Sequence, residues 1–133
     1  MRVAELMQTE VQAVAPDTSL SDAAMTLADA HISGLPVIGR NGSLVGVIST
    51  TDILGSEQDV DDQAARRSLF ETARVRDLMT PQPVTIAPGA SIKEAAQLLL
   101  SADVHRLFVV EDGRLVGVLS TTDIVRAVAN TGL

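Results

Sequence analysis

Two aspartates at matching positions of a repeated segment are the residues best placed to do chemistry. Asp52 and Asp123 each follow a serine by three residues, where a β-rich run gives way to a helical pattern. A carboxylate beside the free N–H groups of a helix start can accept two hydrogen bonds from a vicinal diol such as a ribose. The same Ser-x-x-Asp spacing is also a capping box, which satisfies the first helical N–H groups without any ligand. The pattern alone leaves both interpretations open.

The segment around each aspartate occurs twice almost unchanged. Residues Leu44 to Ile53 return as Leu115 to Ile124, and the single difference is Ile48 against Leu119. Weaker similarity extends over most of both halves, a period longer than the roughly 20 to 50 residues typical of solenoids and propellers. We therefore expect a duplicated small domain whose halves pack on each other, since each half is too short to bury a full core.

Each half predicts the order β-α-β-β-α, which is an α+β fold class. A short extended piece ends in proline, and a serine with an acidic residue three positions later predicts a capping box and an amphipathic helix. Two β-rich runs follow around an Asn-Gly or Asp-Gly turn, because both pairs tolerate positive φ, and a second helix then begins at a serine. The marker residues in chain order are Ser19 with Asp22, Asn41-Gly42, Ser49, Ser91 with Glu94, Asp112-Gly113 and Ser120.

Three segments follow from this pattern. Residues 1-55 form the first motif, residues 56-74 form an acidic linker with a helix, and residues 75-133 form the second motif. The linker is expected to begin as a solvated loop from Gly55 onward. Asp61 or Asp62 is expected to cap a helix that is anchored by Leu69 and Phe70.

Composition excludes several functional classes. The chain has no cysteine, which excludes disulfides, thiol catalysis and thiolate metal sites. Its net charge is −7 and its aromatic residues are Phe70 and Phe108 alone, so it lacks both the basic surface and the stacking platforms of a nucleic-acid binder. No signal peptide or membrane-spanning apolar run is visible. We expect a cytoplasmic protein that binds neither nucleic acid nor membrane.

Catalysis is not expected from these residues. Neither histidine has a repeated carboxylate partner, no metal-ligand spacing appears, and the chain contains no nucleophile elbow and no Walker loop. We therefore predict no catalytic residue, no metal site and no catalytic cofactor.

In two tandem copies, the motif Gly-apolar-apolar-Ser-x-x-Asp after a hairpin resembles the cystathionine-β-synthase (CBS) domain pair, or Bateman module. The resemblance covers the chain from Val3 to about Ala129. It implies two CBS motifs packed with pseudo-two-fold symmetry, and clefts between them that bind adenosine-containing ligands. AMP, ADP, ATP (with Mg²⁺) and S-adenosylmethionine are the ligands it implies. It also implies a homodimer that regulates another domain or an effector protein.

The resemblance assigns roles to residues of both motifs. Asp52 and Asp123 would hold the ribose. The residues near ribose or phosphate would be Ser49, Thr50, Ser120, Thr121, His105 and Arg106. The residues lining the adenine slots would be Val14, Gly34, Leu35 and Pro36 in one half, and Ile86, Leu107 and Phe108 in the other.

The two clefts are not expected to be equal. His105-Arg106 precedes a strand of the second half, where the first half has Ser33-Gly34 without charge. By the resemblance, this pair would reach the phosphate of a ligand whose ribose is held by Asp52, which makes the Asp52 cleft the better phosphate site. Phe108 stands where the first half has Pro36, which puts adenine binding beside it in doubt. Without a ligand, Arg106 would be a solvated surface residue and His105 a polar residue at a strand edge.

His31 is expected at the end of a helix, where a cation suits the helix dipole.

Two functions remain in competition at this point. The first is a regulatory module that senses an adenosine-containing ligand. The second is a structural dimerisation module whose capping boxes never contact a ligand.

Overall fold

A computed structural model describes residues 1–58 and 62–131. It divides into two compact units, each treated by itself below: the Asp52 unit, Gln12–Gln82, and the Asp123 unit, Met1–Val11 with Pro83–Leu133. The elements in chain order are α1 (Val3–Leu6), α2 (Leu20–Ala30), β1 (Gly34–Ile38), β2 (Leu44–Ser49), α3 (Thr50–Gln58), α4 (Gln63–Thr72), α5 (Val75–Leu78), β3 (Thr80–Pro81), β4 (Thr85–Ile86), α6 (Ile92–Ala102), β5 (Arg106–Glu111), β6 (Arg114–Ser120) and α7 (Thr121–Thr131).

The predicted α+β class is confirmed, since each unit combines helices with a three-stranded sheet. In the Asp52 unit, β2 lies between β1 and β3 and is antiparallel to both. Val14 forms an isolated parallel bridge to Val37 of β1, where the extended piece before the first helix was predicted. Leu35, Val37 and Ile48 are buried in the core of this unit, under α2.

The Asp123 unit repeats the hairpin and differs at the sheet edges. β5 pairs antiparallel with β6 and parallel with the short β4. Gln8 bridges Val118 of β6 in an antiparallel sense, on the side where β3 lies in the other unit. Leu107, Val109 and Leu119 are buried in this core.

The packing units do not coincide with the sequence repeats, because the first helix of each repeat packs in the unit that contains most of the other repeat. Val3 of α1 is fully buried in the core of the Asp123 unit, and its N–H donates to Ala90 O at 2.9 Å. Val75 of α5 is fully buried in the core of the Asp52 unit, and its N–H donates to Thr18 O at 2.8 Å. The segments 1-55 and 75-133 stay a prediction made from the sequence repeats, whereas each packing unit contains the opening helix of the other repeat.

The predicted helix boundaries have clear physical causes. Ser19 Oγ accepts from Asp22 N and Ser91 Oγ accepts from Glu94 N, both at 3.1 Å, which caps α2 and α6. His31 is at the C-terminus of α2 in the left-handed conformation, with φ of 54°. Both hairpin turns contain the positive φ angles that their Asn-Gly and Asp-Gly pairs favour.

The linker is more helical than predicted. α3 continues through Gly55 to Gln58, so the expected solvated loop is wrong for these residues. Ser56 Oγ donates to Ile53 O at 2.6 Å, a local bond made inside the helix. Asp62 caps α4 by accepting from Ala64 N at 3.0 Å, and Phe70 packs against the core of the Asp52 unit. The alternative cap, Asp61, lies outside the described residues.

Candidate functional site

Both aspartates close a capping box where a strand runs into a helix. At the Asp52 junction, defined as residues 49–52, Ser49 N donates to Asp52 Oδ2 at 2.9 Å and Asp52 N donates to Ser49 Oγ at 3.1 Å. The Asp123 junction, residues 120–123, has the same two bonds at the same two distances. Capping is therefore present at both junctions. Because it uses one carboxylate oxygen, the second oxygen decides what else each junction can do.

The second oxygen is occupied at the Asp123 junction. Asp123 Oδ1 accepts from Gln8 Nε2 at 3.2 Å and lies 3.5 Å from an Nη atom of Arg126. The Asp123 residue is only 8% exposed. Its two oxygens thus have three partners that all belong to the Asp123 unit.

The second oxygen of the Asp52 junction has no such contact among the residues that the structure describes. Asp52 is partly exposed, and its hydrogen bonds are those of the capping box. A carboxylate oxygen without a protein donor can accept hydrogen bonds from a ligand hydroxyl. The two junctions therefore share their local geometry and differ in their free acceptor capacity.

Two substitutions between the units explain this difference. Gln8 directly follows Met7 and exchanges two backbone hydrogen bonds with Val118, at 2.8 and 2.9 Å. Its counterpart Thr80, in β3, directly follows Met79 and pairs with Val47 of β2. The side chain of threonine is shorter than that of glutamine and does not extend as far toward the capping box. Arg126 lies three residues after Asp123, where the Asp52 unit has Gly55.

The motif glycines serve close packing within each unit. A Cβ at Gly46 would lie 2.8 Å from Met79 Sδ and 2.9 Å from Thr80 O. At Gly117 it would lie 2.7 Å from Met7 Sδ and 2.9 Å from Gln8 O. What approaches each glycine is the segment that follows an exchanged opening helix, so both are required by the fold itself.

The predicted threonines begin their helices beside the residue that directly precedes β1 or β5. Thr50 N donates to Ser33 O and Thr121 N donates to His105 O, each at 2.9 Å. Thr121 Oγ1 also donates to His105 O, at 3.2 Å. Ser49, Thr50 and Asp52 are thus brought together in one unit, and Ser120, Thr121, Asp123 and His105 in the other.

The residues predicted for the first adenine slot surround β1. Val14 N donates to Pro36 O at 3.1 Å, which holds Val14 beside this strand. Gly34 and Pro36 are buried, and the side chain of Leu35 belongs to the hydrophobic core. A ligand beside Leu35 would therefore meet its backbone groups and not its side chain.

The residues predicted for the second slot follow the same arrangement. Ile86 pairs with Val109, and Phe108 N donates to Val84 O at 3.1 Å. Leu107 is a core residue, and Phe108 is 4% exposed. The adenine-binding role of both sets stays a prediction.

His105 and Arg106 both belong to the Asp123 unit. His105 is exposed and Arg106, partly buried, begins β5. Their predicted help to a ligand held by Asp52 joins residues of two units and stays a prediction.

Over residues 1–58 and 62–131, no group of three or more histidine, aspartate or glutamate side chains could hold a metal ion. In the same part of the chain, no helix combines the length and the apolar character needed to cross a membrane.

The sequence profile of the family described as "CBS domain" matches this chain twice, over residues 3–59 and 75–130. The CBS domain-containing protein CBSX2, chloroplastic, of Arabidopsis thaliana is 36% identical over 135 aligned positions, which cover 86% of this chain and 57% of that protein. An inosine-5'-monophosphate dehydrogenase of Methanocaldococcus jannaschii is 30% identical over 92% of this chain but 22% of its own length. The chain thus spans less than two thirds of these relatives.

Similarity to solved structures extends over the whole chain. The crystal structure of CBSX2 in complex with AMP superposes with a TM-score of 0.84 and 34% identity, covering 99% of this chain and 98% of that chain. The two chains therefore share a fold over nearly all of their length.

Proposed function

Because this chain belongs to the CBS-domain family, as a tandem pair, we propose that it is a regulatory module that binds an adenosine-containing ligand through the Asp52 junction. The observation that carries the proposal is the second carboxylate oxygen of Asp52, which has no donor among the described residues of the chain. It lies at the start of α3, where backbone N–H groups and the helix dipole favour negative charge.

The chemistry of the junction suits a ribose. The two hydroxyls of a vicinal diol would donate to Asp52, while Ser49 and Thr50 lie beside them at the helix start. A charge-assisted hydrogen bond of this kind contributes about 1.5–3 kcal/mol, so one diol accounts for a large part of a micromolar affinity. An anionic phosphate would need local cations because the chain carries a net charge of −7. His105 and Arg106 are the residues proposed for that role.

The relative with a ligand supports the choice of probe. CBSX2, 34% identical over nearly the full chain, was crystallised in complex with AMP. AMP contains the diol, the adenine and one phosphate, so each predicted part of the site has a group to recognise. ADP, ATP and S-adenosylmethionine test what the site tolerates beyond the adenosine.

Isothermal titration with AMP tests the proposal. We expect binding to the native chain and a loss of at least about tenfold in affinity for Asp52→Asn, which weakens one charged acceptor. 2'-Deoxy-AMP, which lacks one diol hydroxyl, should bind about tenfold more weakly than AMP. Asp22→Asn is the matched control, since Asp22 follows a capping serine at the start of α2 and lies outside the junction.

A second function is favoured by one specific observation. Both capping boxes are complete without any ligand, as a structural dimerisation module would require. An absence of heat with AMP, ADP, ATP and S-adenosylmethionine, together with a dimer in sedimentation, would favour this function and contradict the first.

The phosphate end has its own test. We propose that Arg106→Ala weakens ATP more than it weakens adenosine, because adenosine has no phosphate for the guanidinium to contact. Equal losses for the two ligands would show that Arg106 does not contact phosphate. The homodimer, the effector protein and the cytoplasmic location remain predictions.

A further inference from the structure

We propose that Gln8 and Arg126 close the Asp123 junction to a diol ligand, so that the Asp52 junction is the ribose-binding site of the two. This inference rests on the proposed function, and it deepens that function by naming two residues of this chain that select between its duplicated junctions. The selection acts through the second carboxylate oxygen, since the first oxygen is used identically in both capping boxes.

The Asp123 junction has fewer free acceptor positions for a diol than the Asp52 junction has. Asp123 Oδ2 accepts from Ser120 N at 2.9 Å, and Oδ1 accepts from Gln8 Nε2 at 3.2 Å. Arg126 adds positive charge 3.5 Å from Oδ1. A ribose would have to displace the Gln8 amide from a carboxylate that is more than nine-tenths buried. At Asp123 a ribose would thus replace a hydrogen bond that already exists, whereas at Asp52 it would add one.

Gln8 reaches Asp123 because its backbone is fixed. Its N–H and C=O exchange hydrogen bonds with Val118, and Gly117 lets the same segment approach β6 closely. The side chain therefore starts from a defined position next to the capping box. Arg126 is 60% exposed, so its ion pair is screened by solvent and its contribution is the smaller of the two.

The Asp52 unit has different residues at the two equivalent positions. Thr80 occupies the place of Gln8 opposite the middle of the motif strand, and Gly55 occupies the place of Arg126. A Cβ at Gly55 would meet no heavy atom within 4 Å, so a side chain can begin there without a clash at its first atom. The chain thus allows the two pairs of residues to be exchanged.

The exchange provides the test. The opened variant is Gln8→Thr with Arg126→Gly, and the closed variant is Thr80→Gln with Gly55→Arg. Titration with AMP should give one site per chain for the native protein and two for the opened variant, and Asp123→Asn should remove the added site. The closed variant should lose at least about tenfold in AMP affinity. Two sites in the native protein, or weaker AMP binding in the opened variant, would overturn the inference.

A measurement without ligand separates this inference from the proposed function. In a double-mutant cycle on thermal unfolding, Gln8→Ala and Asp123→Ala should be clearly non-additive, because each removes the Gln8–Asp123 hydrogen bond and the lost capping bond cancels in the cycle. Thr80→Ala and Asp52→Ala are the matched pair and should be additive. Additivity in the Gln8 cycle overturns the inference even if AMP binds. Non-additivity with no AMP binding in any variant supports the Gln8 contact and contradicts the proposed function instead.

Discussion

The two junctions are alike in everything that folding requires and different in what remains for a ligand. Their capping boxes have the same two bonds at 2.9 and 3.1 Å, and their glycines meet the same kind of methionine segment. The second oxygen of Asp123 is held within its unit, whereas that of Asp52 has no partner among the described residues. The repeated segment therefore specifies the capping box, and the residues around it determine whether the second carboxylate oxygen is available to a ligand.

The helical faces of the two units differ as well. In the Asp52 unit, Phe70 of α4 packs against the core, and it lines a groove of about 490 Å³ beside α2 and α3. The Asp123 unit has no counterpart of α4 among its described residues, and Leu100 is 82% exposed on α6. The linker helix thus belongs to one unit in packing although it lies between the repeats in sequence.

The largest expected effect comes from the exchanged opening helices. Val3→Ala should destabilise the Asp123 unit, and Val75→Ala the Asp52 unit, each by roughly 2–3 kcal/mol, since both side chains are fully buried. Hydrogen exchange resolved by peptide would show which unit opens. Val128→Ala, on the exposed part of α7, is the control and should cost little.

The opposite pattern of hydrogen exchange would contradict the exchange of the opening helices. If Val3→Ala raised exchange in residues 12–58 and left residues 83–131 protected, the helices would pack within their own repeats and the comparison of exchanged units would fail.

Much of this architecture was predictable because its causes are local. The turn pairs, the capping serines and the strand alternation each act within a few residues, and they predicted the hairpins and the helix starts. The exchange of opening helices was not predictable, because both repeats begin with the same apolar pattern and either could cover either core.

The residues of the candidate site likewise include some that the sequence predicts and some that it does not. Arg126 could have been found from the sequence, since side chains three residues apart meet on a helix and Asp123 is such a neighbour. Gln8 could not, because it lies 115 residues from Asp123 and reaches it only through the exchanged segment. The extension of α3 past Gly55 was not predictable, because a glycine followed by polar and acidic residues is also the pattern of a helix end.

An intermediate effect is expected at the motif glycines, where the two units should behave alike. Gly46→Ala and Gly117→Ala each place a Cβ under 3.0 Å from a methionine sulfur and a backbone oxygen. We expect each to destabilise its unit by about 1–3 kcal/mol, because the backbone oxygen cannot move without breaking the sheet contact. Urea unfolding measures the change. If only one of the two substitutions lowered the free energy of unfolding, the sheet of the other unit would tolerate a larger distance between its strands.

The smallest expected effect is at Gly55, where alanine tests the conformational freedom of the backbone and arginine tests ligand access. Glycine within a helix costs about 0.5–1 kcal/mol relative to alanine, and a Cβ at Gly55 would meet nothing within 4 Å. Gly55→Ala should therefore raise the free energy of unfolding by that amount and leave AMP affinity unchanged. Gly55→Arg, by contrast, should reduce AMP affinity through its charge beside Asp52. If alanine weakened AMP as much as arginine did, the space beside Gly55 would belong to the ligand, and the guanidinium of Arg126 would not be what distinguishes the two junctions.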